Sequence, residues 1–328
     1  ALEGRYRAIL TSGELKGQEV PVTAFFANPD IERKMPEAGD RILVAFPKQN
    51  IEANKAIDLN EVTKTPWRFD QYDRSRPMLI LGLVFAALFL IQGRAKGLAA
   101  LVSLILTILA LLFNFVPAIL TGFPILEATL IFCFFSTLVT LYLVLGNHVK
   151  TWVTFLGCFG GVLLAALLTL LMQKILHLNG VSGEESYMPY AFNPEKPIDL
   201  QGIIFAMILI GALGAVMDVA MDLSSSLYEI RTHAPHLTRR GLFKSGMAIG
   251  QDIMGTMANT LILAYVGSSL PTILIQTLYS PTFSATLNQE SMIIEMLNSL
   301  VGSLGLMLTI PLTALVASLI FTTKYARS

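Results

Sequence analysis

Charge is what this sequence has least of. Asp, Glu, Lys and Arg make up 14% of its 328 residues, where a soluble domain carries roughly 25%. That shortage excludes an ordinary water-exposed globule. A 54% hydrophobic composition and a mean hydropathy of +0.63 place the chain in lipid. A basic surplus is missing too: net charge is zero and the pI is about 7.1, so no field favours nucleic acid. Cysteine is scarce. Cys133 and Cys158 both lie in apolar runs and read as buried thiols, too few for a disulfide framework or a zinc site. The first residue is alanine, with no signal peptide behind it. A signal or anchor helix, cleaved or lying outside this sequence, is expected to precede it.

The few charges are unevenly spread. Residues 1–76 hold more than half of the 23 Lys and Arg, which divides the chain into a domain with its linker over 1–76 and a membrane region over 77–328. Within the first, "RYRAILT", "EVPVTAFF" and "RILVAFP" alternate in character and are bounded by Gly-, Pro-, Asn- and Asp-rich turns. They predict a small β-rich domain ending near residue 64, a compact barrel or sandwich with no catalytic cluster.

From Pro77 onward come apolar runs that approach or exceed the roughly 20 residues a bilayer requires. They predict seven spans, at 77–93, 98–120, 124–145, 150–175, 199–226, 252–277 and 293–322. Alternate loops carry Arg94, Lys96, Lys150, Arg231, Arg239, Arg240, Lys244, Lys324 and Arg327; the opposite set carries only Lys174 and Lys196, beside Glu184, Glu185, Glu195 and Asp199. The positive-inside bias then puts the first set and the C-terminus in the cytoplasm and the β-rich domain outside. The fold class expected is an α-helical polytopic membrane protein with a small extracytoplasmic β-rich domain.

Polar residues inside the spans form stripes. Gly214, Asp218, Asp222, Ser225 and Glu229 share one helical face. An Asp at a helix centre costs about 2.5–3.5 kcal/mol on insertion scales, so such residues usually face protein or a wet cavity and mark ion or proton paths. Asp218 lies roughly 20 Å inward from Arg231, near mid-membrane, and Asp222 roughly 6 Å shallower. Gly211 and Gly214 would let a neighbouring helix approach and bury the stripe. In the next span Asp252, Thr256, Asn259 and Thr260 recur at helical spacing, followed by a break from Gly267 to Pro271 of the kind that exposes backbone in transporters. Between the two spans, "HLTRRGLFKSGMAIGQ" reads as a basic amphipathic segment lying flat on the cytoplasmic surface.

Other polar features have plainer readings. Gly157 to Gly161 is a small-residue packing face. Ser103, Thr107 and Asn114 are packing contacts before they are a cavity lining. His233 and His236 in a basic loop are a minor metal candidate, so a metal site is left open.

The run "GALGAVMDVAM" through "FKSGMAIGQDIMGTMANTLILAYVGSSLP" resembles the YibE/F-like family of bacterial multispanning membrane proteins. "YDRSRP", "QGRAKGL" and "IPLTAL" extend the likeness over nearly the whole chain. The resemblance implies an N-terminal anchor helix, an extracytoplasmic domain and a multi-helix region in the bacterial cytoplasmic membrane. Asp218, Asp252 and Asn259 fall on its motif positions, whereas Asp222 stands where its pattern has a small residue. The function expected is an ion- or proton-coupled transporter or export component rather than an enzyme, with no cofactor. Asp218 would be the titrating or cation-binding group and Asp222, Asp252, Thr256, Asn259 and Thr260 would line the path. The alternative is a non-transporting accessory or assembly subunit whose external domain binds a partner, the chain itself meeting a second copy or a paralogous membrane subunit.

Overall fold

A computed structural model of the chain describes residues 2–12, 15–26, 36–46, 65–180, 198–280 and 282–323. The chain divides into two compact units, Ala1–Phe89 and Leu90–Ser328.

The first unit holds a four-stranded sheet. Strands β1 (Leu2–Ile9), β2 (Glu19–Phe26), β3 (Ile42–Ala45) and β4 (Trp67–Tyr72) lie in the order β1-β2-β4-β3. β1 and β2 are an antiparallel hairpin with Ile9 opposite Glu19, closed by a turn in which Gly17, at φ +92°, donates its N–H to the Leu10 carbonyl. Alternation buries Val20, Val22 and Ala24 on one face of β2. The three strands expected from the sequence are present, and β4 is an addition. It falls in the stretch read as linker, although Trp67 and Phe69 alternate with Arg68 and Asp70 as a strand requires. The described residues form one sheet, so neither the barrel nor the sandwich is seen among them. Beyond β4, Asp73 accepts hydrogen bonds from the Ser75 N–H at 3.0 Å and from the Ser75 hydroxyl, which begins the first helix and holds the Asp73 carboxyl below its usual range.

The helices are α1 (Ser75–Ala110), α2 (Val116–Leu120), α3 (Ile125–Leu145), α4 (Val149–Ile175), α5 (Leu200–His233), α6 (Arg239–Ser268), α7 (Leu270–Tyr279), α8 (Phe283–Leu287) and α9 (Glu290–Ile320). A π-helical turn, Leu111–Phe115, joins α1 to α2. Among the described residues five helical segments are long and apolar enough to cross a membrane, or six if the bent pair α6–α7 counts as one span. The protein is therefore a membrane protein, and five or six such segments stand where seven spans were expected. The reason is that the first two expected spans lie in one run, Ser75–Leu120, broken at Arg94, whose φ of 47° and ψ of −129° are not helical.

In the second unit α9 packs against α4, α5 and α6. Small residues permit the approach. Gly157 and Gly161 on α4 meet Thr313 and Thr309 of α9, and Gly246 and Gly250 on α6 meet Ala314 and Ile310. The small-residue reading of 157–161 holds. The basic segment around 237–251, by contrast, is not a separate flat helix. It forms the first turns of α6, capped by Thr238 and packed through Leu242, Gly246 and Gly250, because its small residues fit α9 and α5. The ends of the bundle are tied. Arg231 donates to the carbonyls of Phe321 at 3.1 Å, Leu237 at 3.0 Å and Pro235. At the opposite end Glu290 accepts the N–H groups of Asn179 and Gly180, each at 2.6 Å.

Candidate functional site

α5 is a 34-residue helix without an internal proline, and it ends before Pro235. Its bulkier face, including Ile208, Val216, Leu223 and Leu227, is fully buried among its neighbours. The opposite face carries Gly211, Gly214, Asp218 and Asp222, and all four are exposed on the isolated chain. The sequence led to the opposite expectation, a stripe buried by close helix approach. Larger apolar side chains on the other face of α5 win the core, so the carboxylates lie on its open side. No hydrogen bond or ion pair reaches Asp218 or Asp222 among the described residues. Glu229 lies 3.7 Å from His233 at the exposed end of the helix, which makes it a solvated terminus rather than part of the stripe. Ser225 is half-buried, while the neighbouring Ser224 is buried and hydrogen-bonded to Thr154 of α4.

Two glycines mark the approach of α5 and α6: Gly211 against the Tyr265 hydroxyl, and Gly246 against Leu227. Interpolating between these contacts puts Asp218 level with the turn that holds Thr256 and Asn259, and Asp222 level with Asp252. Level is not the same as facing. At 3.6 residues per turn, Asp218 and Asp222 stand within about 20° of Gly211 and about 140° or more from Leu227. Asp252, Thr256, Asn259 and Thr260 stand about 120° or more away from Tyr265, on the outer side of α6, and all four are exposed. Thr256 and Thr260 bond back to their own helix, to the carbonyls of Ile253 and Thr256. The structure therefore leaves both stripes exposed on the isolated chain: Asp218 and Asp222 share the face of α5 that carries Gly211, and the α6 stripe faces away from Tyr265.

The break expected from Gly267 to Pro271 is present. α6 ends at Ser268 and α7 begins at Leu270, bent by 55°, with Pro271 in the first turn of α7, where its missing N–H costs no helical bond. Gly267 has open space around it. The Ser103–Thr107 stripe packs as expected, with Thr107 against Ser136 of α3 at 3.3 Å. Asn114 instead lines an apolar cavity of about 450 Å³ with Phe115, Phe123 and Phe132. No group of three or more His, Cys, Asp or Glu able to hold a metal ion is found among the described residues. The expected acidic loop residues Glu184, Glu185 and Glu195, together with Lys196, Lys324 and Arg327, lie outside the described residues. The sequence reading also passed over Glu295 and Asn298 on α9. Their spacing of three within an otherwise apolar run is the signal that could have found them.

A family model described as YibE/F-like protein matches residues 81–323. No curated protein and no solved structure matches the chain.

Proposed function

We propose that this chain, which belongs to the YibE/F-like family, is a transport or export component whose working step is the binding of a proton or small cation at Asp218. One observation carries this reading. Asp218 sits two turns along from Gly211 on the exposed face of a membrane-length helix, without a polar partner among the described residues. An intramembrane carboxylate in that setting costs about 2.5–3.5 kcal/mol unless it takes a proton, binds a cation or is paired. Gly214 beside it leaves open space that a hydrated ion can use. The same reading places the chain in the bacterial cytoplasmic membrane with seven crossings, Arg94 separating the first two, the β-rich domain outside and the C-terminus in the cytoplasm. No catalytic chemistry is assigned.

The second reading is the accessory subunit, and the outward polar stripe of α6 favours it. Asp252, Thr256, Asn259 and Thr260 would face lipid in a lone chain, and a second copy or a paralogous subunit would cover them. The two readings separate by chemistry at Asp218. A hydrophobic carbodiimide modifies protonated carboxyl groups inside membranes. The transport reading expects an adduct at Asp218, located by peptide mass mapping and suppressed when sodium is added or the pH is raised. No adduct at Asp218, or one indifferent to both, contradicts it.

A further inference from the structure

Just inside the α6–α7 break, at the end of the bundle away from Arg231, polar side chains from α6 and α9 converge. Ser269, the residue at the break, donates its hydroxyl to Glu295 Oε2 at 2.5 Å. One turn inward on each helix stand Tyr265, four residues before Ser269, and Asn298, three residues after Glu295. Asn298 is 6% exposed. Its Oδ1 and the Tyr265 hydroxyl oxygen are both buried without a hydrogen-bond partner among the described residues. Both point at α5. A Cβ placed on Gly211 would lie 2.6 Å from the Tyr265 hydroxyl and 3.5 Å from Asn298 Oδ1. The glycine thus leaves a notch into which two unpaired oxygens project.

Leaving a buried polar group unpaired costs about 1–3 kcal/mol, so two of them in one notch favour an occupant that pairs with both. The donor set is all oxygen: an amide carbonyl, a phenol, a serine hydroxyl and one carboxylate. Hard oxygen donors suit alkali and alkaline-earth cations rather than softer transition metals. A single carboxylate balances one positive charge and falls short of the charge a divalent ion usually collects. We propose that Tyr265, Ser269, Glu295 and Asn298, with the notch at Gly211, form a binding site for a small dehydrated alkali-metal cation of the sodium class. Gly211 and Asp218 are seven residues apart on one face of α5, roughly 10 Å along the axis, which makes this site the first stop before Asp218. That connection rests on the transport reading. The binding itself does not.

The test uses the full chain in detergent at fixed pH, with sodium chloride replacing choline chloride at constant ionic strength. Thermal unfolding and binding of radioactive sodium are the readouts. The unaltered protein should show a saturable rise in Tm and saturable sodium binding. Asn298→Leu and Gly211→Ala should each weaken sodium affinity at least tenfold, the second by filling the notch and crowding the Tyr265 hydroxyl without removing a ligand atom. Gly255→Ala, where an added Cβ meets nothing within 4 Å, should leave affinity unchanged. If Asn298→Leu does not fold, Gly211→Ala alone decides. Absence of saturable sodium binding in the unaltered protein, or affinity unchanged by Gly211→Ala, overturns the site. Because the readout is equilibrium binding, sodium held here without Asp218-dependent transport would sink the proposed function and leave this site standing.

Discussion

Gly161→Leu should leave no folded protein recoverable in detergent, while Gly160→Ala, one residue away, should be stable. The two positions differ by about 100° around α4, and that rotation decides the outcome. An added Cβ at Gly161 overlaps Thr309 Oγ1 on α9, lies 3.0 Å from Thr309 Cβ and comes within 3.2 Å of Val216 on α5. Thr309 and Val216 are both fully buried, and the Thr309 hydroxyl is bonded to the Gly305 carbonyl. Neither can swing aside, so even alanine should cost about 1–3 kcal/mol by overpacking. Leucine would have to part three helices. At Gly160 the nearest atom is the terminal Cδ1 of Leu312, at 3.2 Å, and a flexible end can shift. Replacing a helical glycine there recovers up to about 1 kcal/mol of backbone entropy. Size-exclusion profiles and thermal melts of the three variants check the contrast. Equal behaviour at 160 and 161 would mean that α4 is rotated from the orientation described.

Asp218→Leu should raise the thermal stability of the protein while abolishing the transport proposed for it. A carboxylate with no partner from another helix contributes nothing to packing and carries an insertion cost of about 2.5–3.5 kcal/mol near mid-membrane. Leucine at an exposed position of a membrane helix meets no clash and removes that cost, together with the repulsion from Asp222 four residues on. A gain of about 2 kcal/mol is expected from these terms. A residue held for structure behaves in the opposite way. Breaking a buried pair or hydrogen-bond network destabilises by several kcal/mol, because the abandoned partner stays buried. Asp218→Leu that melts earlier than the unaltered protein would therefore assign Asp218 to packing.

Much of this architecture could be read from the sequence, and the failures have identifiable causes. Long apolar runs and small-residue pairs such as Gly157 and Gly161 announce helices and their contacts directly, since length and side-chain size are local properties. The break at Ser269 was legible from the Gly-Ser-Ser-Leu-Pro run. Strand β4 is hidden by its place, immediately before the first apolar helix in the sequence, where it reads as a lead-in. The two polar stripes show the limit most clearly. Each is plain as a periodicity, yet periodicity names a face and not what the face meets. Asp218 and the Asp252–Thr260 stripe lie at matching levels on adjacent helices but point in different directions, because Gly246 and Gly250 turn the opposite side of α6 toward α9. Tyr265 and Asn298 escaped notice for the same reason. Tyr265 is not unusual in its own helix, the spacing of Glu295 and Asn298 is only a faint signal in theirs, and their meeting at Gly211 is what makes them conspicuous.

The measurement that bears most directly on the central claim is ion flux into proteoliposomes holding the purified chain, compared between the unaltered protein and Asp218→Asn. Asparagine keeps the shape of the side chain and removes its ability to titrate or to carry charge. The account expects proton or sodium flux that requires the unaltered protein and is lost in Asp218→Asn, with the variant still folded and monodisperse. Flux that survives the substitution, or that never appears with the unaltered chain, would contradict it.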